Sequence, residues 1–254
     1  MPSPTPPVSQ KEGQDKLFDS PRSRLEDFNF GKETAAVFDD MLNRSVPLYG
    51  EIQRMVGELA ADFLDKGSTV YDLGCSTGNT FWAIAHHLLP EQQVKFIGID
   101  SSQDMLRKTE ENLKARAFPY PLELRHSDLN DGFILDDANV VVMALTLQFV
   151  RPLFRAKLLE AIFRGLQPGG CLLLVEKIIS EHSILNRLYI KHYYEMKRRH
   201  GYSEMEIAQK REALENVLVP YRLDENRRLL DEAGFQQVDT FFQWYNFAGI
   251  IALK

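Results

Sequence analysis

Apolar residues Ile52, Met55, Val56, Leu59, Ala60, Phe63 and Leu64 recur at i, i+3, i+4, i+7 spacing, which predicts an amphipathic helix. Ser45 is placed to cap it, Pro47 suits its first turn, and Gly67 suits the position just past its end. A shorter helix is expected near 34–42. From Thr69 the period changes. Thr69-Val70-Tyr71-Asp72-Leu73 reads as a strand that runs into the turn Gly74-Cys75-Ser76-Thr77-Gly78. A helix is expected over 79–88, a second strand over 94–99, and a helix capped by Ser101 or Ser102 to about 115. Further strands are expected over 122–125, 139–145 and 171–175, with a helix over 152–166 closed by Gln167-Pro168-Gly169-Gly170. Strand–helix alternation with continuously apolar strands predicts a parallel sheet covered on both faces.

The C-terminal third changes character. Charged helices are expected over 183–200 and 203–217, and a third helix over 222–233. Two strands, 237–244 and 247–253, flank a turn too short for a parallel crossover, so they must run antiparallel. The fold class is therefore α/β, with a Rossmann-like, mostly parallel sheet and an antiparallel C-terminal strand. A helical insert, about 182–218, falls between the fifth and sixth strands and is a candidate lid or dimer surface. Four of the first seven residues are proline. Residues 1–16 are expected to be a disordered tail, and 17–254 a single domain.

Composition narrows the function classes. The chain has 254 residues, and 36 acidic against 30 basic side chains give a net charge of −6. That balance argues against direct grip on nucleic-acid phosphates. The two cysteines, Cys75 and Cys171, make no disulfide framework and no zinc spacing, so no metal is expected and a reducing cytoplasm is the default. The longest apolar runs fall far short of the ~18 residues of a membrane span, and the N-terminus lacks a signal-peptide core.

The chemistry concentrates at the glycine turn. A strand, a tight turn and a helix form a ligand cradle in open α/β sheets. Gly74-Cys75-Ser76-Thr77-Gly78 also matches the nucleophile elbow G-x-S-x-G, but the last histidine, His200, precedes the final strands, which disfavours a hydrolase triad. With two glycines, at 74 and 78, the turn lacks the full dinucleotide fingerprint. S-adenosylmethionine, which has no pyrophosphate, needs fewer. Asp100, at the end of the second strand, can accept both ribose hydroxyls or serve the helix start instead. Asp128, after the third strand, can accept from an adenine amine. The run Lys197-Arg198-Arg199 reads as a solvated helix face rather than an RNA patch.

The chain resembles class I S-adenosylmethionine-dependent methyltransferases, and within them the carboxy-S-adenosylmethionine synthases. The segments that carry the closer resemblance lie outside the glycine turn. They include Asn43-Arg44-Ser45-Val46-Pro47-Leu48-Tyr49, Thr146-Leu147-Gln148-Phe149, Gly201-Tyr202-Ser203-Glu204 and Ile207-Ala208-Gln209-Lys210-Arg211. The resemblance implies that a carboxyl group passes from prephenate to the methyl of S-adenosylmethionine, giving carboxy-S-adenosylmethionine and phenylpyruvate. The product would supply a partner enzyme that carboxymethylates the tRNA wobble uridine. It also implies a homodimer, and ligand contacts at Tyr49, Gly74, Cys75, Ser76, Asp100, Ser101, Asp128, Leu129 and Arg211. One departure is visible, since Ala144 stands where the family has an asparagine. That leaves a conventional small-molecule methyltransferase as the second reading. Prephenate is a dianion and needs local cations on an acidic protein. Arg211, able to take a carboxylate bidentately, is the first candidate for the reacting site, and Arg44 the second.

Overall fold

A computed structural model describes residues 13–21, 26–132 and 134–254. Helices α1 (Lys32–Ser45) and α2 (Tyr49–Ala61) precede the sheet. The parallel strands are β1 (Thr69–Leu73), β2 (Lys95–Asp100), β3 (Leu122–His126), β4 (Ala138–Ala144) and β5 (Leu166–Ile179). They alternate with α3 (Asn79–Ala85), α4 (Gln103–Ala115) and α5 (Pro152–Gly165). After β5 come α6 (Ser183–Arg199), α7 (Glu204–Leu214), the short β6 (Tyr221–Arg222) and α8 (Leu223–Ala233). The strands β7 (Gln237–Trp244) and β8 (Phe247–Leu253) close the chain.

The sheet runs β3-β2-β1-β4-β5-β8-β7. Strand β8 is antiparallel to both neighbours, and the other pairings are parallel, as the pattern predicts. Two-residue periodicity sorts β5 into two faces. Leu173 and Val175 pack with α2, α3 and α4, whereas Leu172 and Leu174 pack with α5 and α8. The same alternation sends Lys177 and its neighbour Glu176 to opposite sides.

Several local expectations shift. Ser45 ends α1 instead of capping α2, and its hydroxyl donates to the Tyr202 hydroxyl at 3.2 Å. Leu48, in left-handed conformation (φ 52°), starts α2 without a side-chain cap. Of the two serines, Ser102 caps α4, accepting from the Met105 amide. Gln167 to Gly170 are absorbed into a long β5 rather than closing α5. The two-residue β6, parallel to β5, was too short for any periodicity to announce. The expected tail falls mostly on residues 1–12, outside the described residues. Asp15, inside the expected tail, is 1% exposed. It accepts from the Tyr202 hydroxyl at 2.6 Å, and its carboxylate lies 3.6 Å from Lys210.

Strand order reverses between β1 and β4, the switch point where open α/β sheets leave a crevice at the strands' carboxyl ends. The loop Thr146-Leu147-Gln148-Phe149 is pinned there from two sides. The Leu147 amide donates to buried Glu176, and the Lys177 amide donates to the Gln148 side chain. Arg155, 1% exposed on α5, donates to the carbonyls of Val150, Gln148 and Val219 and stacks 4.2 Å from the Tyr221 ring. Arg155→Met therefore orphans the Val150 and Val219 carbonyls and leaves that of Gln148 with the Val219 amide alone, while keeping the side-chain length. The expected loss is about 3 kcal/mol or more in urea unfolding. A loss under about 1 kcal/mol would show that the carbonyls are satisfied without the guanidinium.

Candidate active site

A cavity of about 220 Å³ occupies the crevice. Its floor is the row of strand ends and the turns that follow. Gly74 and Ser76 come after β1, Asp100 and Ser101 from β2, Asp128 and Leu129 after β3, and Ala144 to Thr146 after β4. Its roof comes from Phe28, Phe30, helix α1, the start of α2, and helices α6 and α7. The roof segment is tied down, since the Phe28 amide donates to the Ala213 carbonyl and the Ser102 hydroxyl to the Phe30 carbonyl.

The glycine turn is built for close approach. Gly74 has φ 81°, and a Cβ there would lie 2.3 Å from the Thr146 hydroxyl. Thr146 thus packs directly on the turn, which joins the β1 and β4 loops into one surface. The amides of Gly74 and Cys75 both donate to the Ile99 carbonyl. Ser76 and Leu145 line the cavity in left-handed conformation, φ 46° and 62°. Such non-glycine positions cost on the order of 1 kcal/mol each and persist where surrounding contacts hold them.

Carboxylates gather at this end. Asp100 accepts from the Ser76 amide at 2.9 Å and the Ser102 amide at 2.8 Å, and burial pushes its pKa up. It therefore braces the turn and also forms cavity wall. Asp128 is exposed at the rim and accepts from Asn130. Tyr49 lines the cavity beside Asn79 and Gln53, its phenol pushed up by burial and by Asp39. Asp72, which the motif reading passed over as a strand residue, is 1% exposed, and neither of its oxygens makes a full hydrogen bond among the described residues. Burial raises its pKa to about 7, tempered by the Thr80 hydroxyl. It lies in the electrostatic field of Tyr49 and Asp100, both cavity-wall residues. An uncompensated buried carboxylate beside a cavity suits a cationic ligand such as the ammonium end of S-adenosylmethionine.

Cations gather at the other end. Lys177, Lys197 and Lys210 all line the cavity. Burial lowers the pKa of Lys177 and Lys210 to about 8 each, and burial with the nearby Lys210 and Lys177 lowers that of Lys197. The charged run on α6 was expected to be solvated throughout. Its arginines are exposed, but Lys197 is 4% exposed, because α6 turns that position inward beside Tyr193 and Met196. The signal that could have found it is the i, i+3, i+4 set Tyr193, Met196 and Lys197, an inward stripe that ends on a cation.

Two expected sites move. Cys75 packs its thiol into the core, 2% exposed, and lies outside the cavity wall. Its main chain alone belongs to the turn. Arg211 is exposed on α7 and also lies outside the wall, whereas its neighbour Lys210 forms part of it. Helical geometry turns adjacent residues by about 100°, so the two basic side chains face different ways. Arg44 is committed elsewhere. It donates to the His200 carbonyl, the Asp15 carbonyl and Asp40, and stacks 4.0 Å from the Tyr202 ring. Tyr49, Gly74, Ser76, Asp100, Ser101, Asp128 and Leu129 are brought together around one space. Ala144 lines it too and offers no side-chain polar group.

Asp72 yields a pH prediction. Its folded pKa, raised from 3.8 to about 7, means that the native state keeps a proton that the unfolded chain releases. The stability contributed by that proton is present below about pH 4 and is lost as pH rises through about 7. Asp72→Asn should therefore gain on the wild type across that window, by on the order of 4 kcal/mol at its upper end. Parallel unfolding free energies from pH 4 to 8 would contradict the burial of this charge.

Residues 70–170 match the family model described as a methyltransferase domain. Among solved structures, the fold is similar to an S-adenosyl-L-methionine-dependent methyltransferase from Methanococcus maripaludis. There the TM-score is 0.59 at 19% identity, covering 92% of this chain and 97% of that one. It is also similar to human N-acetylserotonin methyltransferase in complex with S-adenosylmethionine (TM-score 0.57, 15% identity, 87% of this chain and 55% of that one). Sequence relatives are much nearer. Carboxy-S-adenosyl-L-methionine synthase of Methylococcus capsulatus is 51% identical over 95% of this chain and 99% of its own length. The synthase of Nautilia profundicola is 42% identical over 95% and 100%. The strand order, the single cavity floor of glycine turn and carboxylates, and these full-length likenesses agree: the chain belongs to the carboxy-S-adenosyl-L-methionine synthase family.

Proposed function

We propose that prephenate is the carboxyl donor, that the protein works in the cytoplasm as a homodimer, and that its product supplies a tRNA carboxymethyltransferase acting on wobble uridine. The observation that carries the donor assignment is the polarity of the cavity, with Asp100 and Asp128 at the β2 and β3 side of the strand order and Lys177, Lys197 and Lys210 from β5, α6 and α7. A sulfonium amino acid and a dicarboxylate can each be neutralised there without crossing.

The reaction balances within those two ligands. The methyl carbon of S-adenosylmethionine loses a proton, prephenate loses carbon dioxide and hydroxide, and the methyl carbon bonds to the carbon dioxide. Carboxy-S-adenosylmethionine, phenylpyruvate and water result. Hydroxide from the donor takes the methyl proton, so no protein base is required. The chain's own residues then bind, orient and exclude water. Asp72, buried beside the wall, supplies negative field for the ammonium end of the sulfonium ligand, while Asp100 faces the ribose and Asp128 the adenine. Phe28, Phe30 and Phe149 supply an apolar wall, with Phe30 and Phe149 rings 5.2 Å apart. Ala144 leaves contact there to the main chain.

Arg211 is assigned to the cavity of a second copy. Its side chain is exposed outside its own cavity and makes no hydrogen bond or ion pair among the described residues. In trans it would meet the carboxylate as it is transferred.

The test is direct. Purified protein is incubated with S-adenosylmethionine and prephenate, denatured, and the released small molecules are weighed. A ligand heavier than S-adenosylmethionine by one carbon dioxide, with equimolar phenylpyruvate, is expected. Only S-adenosylhomocysteine, without phenylpyruvate, would favour a conventional methyltransferase. Arg211→Ala should keep the fold and lose on the order of 100-fold in turnover. Mixing it with a variant defective in its own cavity, such as Gly74→Val, should restore part of the activity if the arginine acts in trans.

A further inference from the structure

Lys177 and Lys197 both approach one aromatic ring. Their ammonium groups lie 5.1 and 5.2 Å from the centre of Tyr193. They reach that ring from different elements, Lys177 from the end of β5 and Lys197 from the last turn of α6. Both line the cavity. Neither ammonium group makes a hydrogen bond or an ion pair among the described residues.

Lys210 differs. It donates to the Ser45 hydroxyl at 3.1 Å and pairs with Asp15 at 3.6 Å. Asp15 in turn holds the Tyr202 hydroxyl. Among the described residues, the one buried anion at this end is thus already committed to Lys210. Glu176, next to Lys177 in sequence, points to the other face of the sheet and holds the Leu147 amide. Two ammonium groups in the cavity wall remain without a counter-charge among the described residues. Leaving two cations in this state costs far more than any surface lysine, unless a ligand completes them. Tyr193 offers each only a partial substitute through its ring face.

We propose that Lys177 and Lys197 are the clamp for the carboxyl donor, each taking one carboxylate of a dicarboxylate ligand. This rests on the donor reading above and adds the residues that select it. Two positive charges match a ligand of charge −2 and leave one unmatched when a monocarboxylate occupies the same place. The clamp therefore also explains release. Carboxyl transfer turns a dianion into a monoanion, so the product phenylpyruvate loses half of its ionic anchoring at the moment it forms.

Lys177→Met and Lys197→Met test this, singly and together. Methionine keeps the length and removes the buried charge, so both variants should fold and melt no lower than wild type. Each single variant is expected to raise the KM for prephenate by about 10- to 100-fold, the loss of one charged hydrogen bond. The KM for S-adenosylmethionine should change less than about threefold. A KM for prephenate within threefold of wild type in both singles overturns the proposal, as does an equal rise in both KM values. The second arm uses binding alone. Phenylsuccinate, a dicarboxylate, should bind wild type at least about tenfold more tightly than phenylpyruvate, and the double variant should lose that preference. Wild type that shows no preference also overturns the clamp. If wild type does not turn over prephenate but the phenylsuccinate preference is present and vanishes in the double variant, the clamp stands and the donor reading fails.

Discussion

Asp72, buried beside residues of the cavity wall, and Lys177 and Lys197, which form part of that wall, have no partners among the described residues that neutralise them. Everything else in the crevice is arranged around that constraint. The fold must supply enough burial to tolerate it, and it does so with two apolar layers, one on each face of the sheet. The segments beside the cavity cannot relax toward solvent because each is pinned. Arg155 and Glu176 fix the loop after β4, Asp100 fixes the glycine turn, and Asp15 with Arg44 fixes the junction of α1 with α6 and α7. The pins are themselves buried polar groups, so each is strong only because its hydrogen bonds are complete.

That arrangement separates two ligand chemistries in one space. Generic methyltransferase folds require the carboxylate end, because they share the sulfonium ligand. The lysine end belongs to the helical insert and to the final residues of β5. The insert thus adds basic groups to the wall of a widely shared cradle. The left-handed backbone at Ser76 and Leu145 places this junction where the β1 and β4 loops touch.

Much of this was legible in the sequence, for physical reasons that differ by element. Strand–turn–helix alternation and apolar runs marked the sheet and its reversed strand, because parallel strands buried on both faces leave no other pattern. The glycine turn and Asp100 were legible because only a few residue types tolerate that backbone and that end of a strand. Arg211 and Lys210 show the limit. Adjacent basic residues on a helix look alike in sequence, and only the packing of α7 decides which one faces the cavity. Lys197 was hidden in the same way within a charged run, and Asp72 within a strand whose apolar neighbours masked it. Asp15 was hidden by its proximity to the proline-rich start, although its partners, Tyr202 and Lys210, lie far away in the chain.

The central claim is that both ligands occupy one water-poor cavity and that the carboxyl group passes between them without entering bulk solvent. Prephenate labelled isotopically in its transferable carboxyl group, with unlabelled bicarbonate in excess in the buffer, tests this most directly. Full retention of the label in carboxy-S-adenosylmethionine is the result predicted. Dilution of the label toward that of the buffer would show that carbon dioxide escapes and returns, which contradicts direct transfer between the two charged ends of the cavity.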